Sequence, residues 1–105
     1  MRSVDKTREA YRRPLIDLKT RRTSARCRLI HWVSHLTGKQ SELASILGSE
    51  GWRDSPNLEA RAERLTKEIQ SLSDEVDIAQ EMFNDFESRL QTLEQQQAFL
   101  LAGEA

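Results

Sequence analysis

From Leu58 onward, apolar residues return at alternating intervals of three and four, and this rhythm is the strongest constraint on what the chain can become. Such spacing places the apolar side chains along one seam of an α-helix and leaves the remaining positions to water. One seam position runs Leu58, Leu65, Leu72, Ala79, Phe86, Leu93, Leu100, and the other runs Ala62, Ile69, Val76, Phe83, Leu90, Gln97. No Pro or Gly interrupts residues 57–102, so the spacing predicts one unbroken helix there, on the order of 65 Å long at about 1.5 Å per residue.

The first half carries the same rhythm. Tyr11, Leu18, Ala25, Trp32, Lys39 and Ile46 hold one seam position, and Leu15, Arg22, Leu29, Leu36 and Leu43 hold the other. Pro14 suits a first helical turn, where its missing N–H costs nothing, so a helix is expected over 14–47, with 1–13 forming a basic arm or a short separate helix. Gly38 weakens this helix locally by about 1 kcal/mol relative to Ala and marks a place for a kink. Residues 48–56, GSEGWRDSP, read as a stop, a turn and a restart. Gly48 suits a left-handed helix cap, while Ser55 and Pro56 suit an N-cap and the residue after it.

Two long helices joined by a short loop lie antiparallel and bury their seams together. The expected fold is therefore all-α, a long coiled-coil-like helical hairpin forming one domain and completed as a multi-helix bundle by self-association or a partner. Its seam is expected to include Leu18, Leu29, Trp32, Leu36, Leu65, Ile69, Leu72, Val76, Phe83, Phe86 and Leu90. The alternative pairing is an interchain parallel coil over 57–102, which the Ile and Val at one seam position and Leu at the other also suit.

Charge bears on the register. Residues 1–40 hold eleven Lys/Arg and three Asp/Glu, whereas 41–105 hold five and fourteen, although the whole chain carries only −1. If facing residues sum to 104 in number, Arg12 lies near Glu94, Lys19 near Glu87, Arg28 near Glu75, His35 near Glu68 and Glu42 near Arg61. All five pairs are complementary. A slip of seven residues one way sets Glu42 against Glu68, and the other way sets His35 toward Arg61. The basic-then-acidic division is thus expected to reflect two arms pairing with each other.

The back of an isolated hairpin should be its most charged surface. Helix two conforms, with Glu63, Arg64, Lys67, Asp74, Asp77, Glu81 and Asp85 outward. Helix one departs from this: Ile16, Thr20, Thr23, Cys27, Ile30 and Ser34 form a strip of small or apolar residues rimmed by Arg and Lys. A smooth strip of that kind suits contact with a second helix, and a two-helix layer is small enough to need such support.

Chemistry-bearing constellations are sparse. Thr37-Gly38-Lys39-Gln40 lacks the first glycine and the Ser/Thr of a phosphate loop. Cys27, His31 and His35 fall one turn apart, but they drift around the helix and no fourth ligand accompanies them. No catalytic, cofactor-binding or metal site is expected. The lone Cys27 excludes an internal disulfide and is compatible with a reducing compartment. MRSVDKTREAYRR has no apolar run suited to a signal peptide or membrane span, and Asp5, Glu9 and Asp17 are unlike a transit peptide. A soluble, cytoplasmic, non-enzymatic adaptor or chaperone-like subunit is expected, with a homo-oligomer or a helical partner and no membrane. The competing expectation is nucleic-acid contact through Arg8, Arg12, Arg13, Arg21 and Arg26, whose composition suits phosphates.

Overall fold

The computed structural model describes residues 2–104. Two helices pack against each other as a hairpin, with no strand among the described residues. Helix α1 spans Arg2–Leu47 and α2 spans Pro56–Glu104, with a 3-10 turn at Trp52–Asp54 between them. The chain divides into two compact units. The turn unit is Arg28–Gln80, and the terminal unit joins the residues up to Cys27 with those from Glu81 onward.

Helix α1 begins well before Pro14, so residues 2–13 are neither a separate helix nor an arm; Met1 lies outside the described residues. The expectation of a start at Pro14 underrated the residues ahead of it. Val4, Thr7 and Tyr11 extend the three-four spacing and are half-buried. Their packing offsets the lost bond to the Ala10 carbonyl and the ring clash that make an interior proline cost about 3 kcal/mol. Gly38 is exposed within the continuous helix and interrupts nothing.

The turn is held by backbone hydrogen bonds that satisfy the helix ends. The Gly48 N–H donates to the Ala44 carbonyl at 2.9 Å and the Ser49 N–H to the Ile46 carbonyl at 3.0 Å. The left-handed residue is Gly51, with φ 68°, rather than Gly48. Since Gly48 still donates four residues back, the chain reverses three residues later than its first glycine suggests. Ser55 caps α2, its hydroxyl oxygen accepting from the Leu58 N–H at 3.5 Å, and Pro56 opens the helix.

Within the turn unit, Ile46, Ala62 and Leu65 form a buried cluster, with Leu43, Trp52 and Leu58 packed on it. Ala79 is also buried there, whereas in the terminal unit Ala25 and Leu90 are the buried hydrophobic residues.

Candidate interaction surfaces

The seam residues lie inward. Leu65 and Leu90 are buried, while Leu18, Leu29, Trp32, Leu36, Ile69, Leu72, Val76, Phe83 and Phe86 are half-buried. Leu100 is the exception: it is exposed and Leu101 is half-buried in its place. An α-helix drifts by about 20° per heptad from a strict seven-residue repeat, so after six heptads the inward position moves on by one residue.

The ion pairs refine the expected register. Within the turn unit, Glu42 meets Arg61 at 3.9 Å, a pairing that neither seven-residue slip produces. Glu68, however, takes Lys39 at 3.3 Å rather than His35, and in the terminal unit Glu87 takes Arg22 at 3.6 Å rather than Lys19. Lys39 and Arg22 both occupy seam positions. Their stems lie along the seam and their charged heads emerge beside it, where they reach the flanking acids first. No ion pair joins Arg12 to Glu94 or Arg28 to Glu75 among the described residues.

Pairing between the arms thus accounts for part of the charge division among the described residues. Three cross-helix ion pairs form among the described residues, and in one of them the acid is on α1. Arg8, Arg12, Arg13 and Arg26 are exposed and enter no ion pair among the described residues. Arg21 bonds Asp17, 3.1 Å away on its own helix.

Ile16, Thr20, Thr23, Cys27, Ile30 and Ser34 are all exposed. In the terminal unit, the Thr20 hydroxyl donates to the Ile16 carbonyl and that of Thr23 to the Lys19 carbonyl, each at 2.9 Å. With their hydroxyls turned onto the helix backbone, these threonines present a less polar surface than their composition implies. In the turn unit, Ile30 is 54% exposed and Val33 beside it 42%. Val33 was absent from the sequence-derived strip because it sits nearer the seam, as were Ile78 and Phe99, which are exposed on α2. Met82 on α2 is exposed as well.

An open cleft of about 690 Å³ lies at the turn, floored by Leu43, Leu47, Trp52 and Ala62 and rimmed by charges of both signs. The Arg53 guanidinium stands 5.3 Å from the centre of the Trp52 ring. The His31 and His35 rings are 5.5 Å apart, but no group of three metal-binding side chains converges among the described residues. Cys27 is an exposed free thiol. No helix is long and apolar enough to cross a membrane among the described residues. Comparison with protein families, curated proteins and solved structures finds no match to this chain.

Proposed function

We propose that this chain is a non-enzymatic interaction module, an adaptor or chaperone-like subunit whose outer α1 surface packs against another helix. The observation that carries the reading is the placement of aliphatic side chains on the side of α1 turned away from the seam. Ile16 in the terminal unit is 55% exposed and Ile30 in the turn unit 54%. Solvated helix backs favour charge, so β-branched aliphatics there, beside threonines whose hydroxyls bond their own backbone, suit a dry contact. The thinness of each unit supports the same reading, since few side chains are buried in either. A reducing, cytoplasmic setting belongs to the proposal, because the sole cysteine is exposed and has no partner within the chain.

Absolute mass by light scattering tests it. The natural chain is expected to form an assembly, and Ile30→Glu, at an exposed position outside the seam, is expected to dissociate it with far-UV helicity retained. Equal masses for the two chains at all concentrations, in both the isolated and partner-mixed states, would count against the surface.

A second reading is favoured by four arginines on α1 that are exposed and enter no ion pair among the described residues. Arg8, Arg12, Arg13 and Arg26 suit a polyanion, and retention on immobilised DNA or RNA that weakens steeply with salt is its expected signature.

A further inference from the structure

We propose that the terminal unit is a self-complementary charge interface, in which α1 of one chain lies against α2 of a second copy while the reciprocal contact forms alongside. This rests on the reading that the outer surface of α1 packs against a helix, and it names that helix. The two helices of this unit carry opposite charge. Up to Cys27 there are nine Lys/Arg and three Asp/Glu; from Glu81 onward there are one Arg and five Asp/Glu. Much of this charge is not neutralised inside the chain. Arg12, Lys19 and Arg26 on α1, and Glu81 and Glu94 on α2, are exposed and enter no ion pair among the described residues.

Each helix also sets an exposed apolar side chain among charges of its own sign. Ile16 has Arg12, Arg13 and Lys19 three or four residues away, the positions that neighbour it on a helix surface. Met82, 39% exposed, has Asp85 at the same kind of spacing and Glu81 next to it. An apolar centre with a charged rim is the anatomy of a protein interface. Because the rim is basic on one helix and acidic on the other, a two-fold axis that sets unlike helices together faces the net charge of each helix with its opposite.

A polyanion matches this unit less well. Its ten basic residues stand with eight acidic ones, so a nucleic acid drawn to α1 also meets the field of the α2 carboxylates. A second copy brings both signs and satisfies both helices at once.

Charge exchange between full-length chains tests the proposal. One variant carries Arg12→Glu, Lys19→Glu and Arg26→Glu, which leaves six Lys/Arg and six Asp/Glu on the α1 part of the unit and turns three exposed basic positions acidic. The other carries Glu81→Lys and Glu94→Lys, which leaves three Lys/Arg and three Asp/Glu on the α2 part and turns two exposed acidic positions basic. The substituted residues are outside the seam, so each variant is expected to keep its far-UV helicity. By light scattering, the natural chain is expected to be a dimer whose dissociation constant rises about tenfold or more between low and high salt. Each variant alone is expected to be monomeric, and their equimolar mixture to give a one-to-one dimer. A natural chain that stays monomeric, or a mixture that does, overturns the proposal. A dimer that survives both reversals but splits with Ile30→Glu overturns the charge assignment while leaving the outer-surface reading intact. Binding of an RNA oligonucleotide by the basic variant, with no heterodimer in the mixture, overturns it in favour of a polyanion.

Discussion

The turn unit and the terminal unit share two helices and one spacing of apolar residues, but they differ in what fills the seam. The turn unit closes around Ile46, Ala62 and Leu65, sealed by Leu43, Trp52 and Leu58. The terminal unit has Ala25 and Leu90 as its buried hydrophobic residues, with Thr7, Arg22 and Gln97 at inward positions. Sequence separation widens the contrast. Ile46 and Ala62 are joined by a short loop, whereas Arg22 and Glu87 close one about four times longer, which costs about 1 kcal/mol more in chain entropy. The same repeat thus yields a tightly closed unit at the loop and a loosely filled one at the chain ends. Charge segregation is also stronger in the loosely filled unit. Its own packing is the less complete of the two, which is what a surface finished by a second molecule would show.

Substitutions in the two units should separate them. The largest effect is expected at Leu65, 4% exposed within the turn cluster. Leu65→Ala should lower the unfolding free energy by about 2–5 kcal/mol in denaturant titration, by removing contacts and leaving a cavity. A loss below ~1 kcal/mol would show that this cluster does not anchor the fold. Next comes Pro14→Ala in the terminal unit. It restores a donor for the Ala10 carbonyl and should raise stability by up to about 3 kcal/mol, visible as slower amide exchange around residues 10–20. No gain would mean that α1 is already interrupted there in solution.

Replacing both partners, Arg22→Leu with Glu87→Leu, exchanges a half-buried ion pair for apolar contact in the terminal seam, so a gain of about 1 kcal/mol is expected in thermal unfolding. A loss would show that the pair to Glu87 is needed to seat the helices. The smallest effect is expected at Gly38, where an added Cβ meets nothing within 4 Å. Gly38→Ala should stabilise the turn unit by about 0.5–1 kcal/mol through helix propensity alone. A destabilised variant would show that the outer side of α1 at Gly38 is covered in the assembled protein.

What could be read from sequence follows from how each signal is encoded. The seam was legible because a repeated interval averages over many residues, and single polar intruders such as Arg22 and Lys39 do not disturb its phase. Features decided by one or two residues were not. Pro14 looked like a boundary because its local penalty is conspicuous, while the compensating burial of Val4, Thr7 and Tyr11 depends on the opposite helix. Gly48 and Gly51 both suit a left-handed turn, and hydrogen bonding from Gly48 to Ala44 decides between them. Leu100 lost its inward place to Leu101 through drift too small to notice in one heptad. The outer strip was legible as a composition, but the folding of the Thr20 and Thr23 hydroxyls onto the backbone was not. The partners of Glu87 and Glu68 were also hidden, because facing positions in a register do not reveal that Arg22 and Lys39, from the seam, reach these acids before Lys19 and His35.

The central claim is that the terminal unit is finished by a second molecule, and concentration-dependent amide hydrogen exchange tests it most directly. In dilute protein, amides of residues 4–27 and 81–101 should exchange faster than those of 43–65. As concentration rises at low salt, protection should increase in the first two segments and change little in the third. Protection that is equal in the two units, or that ignores concentration and salt, would contradict the account.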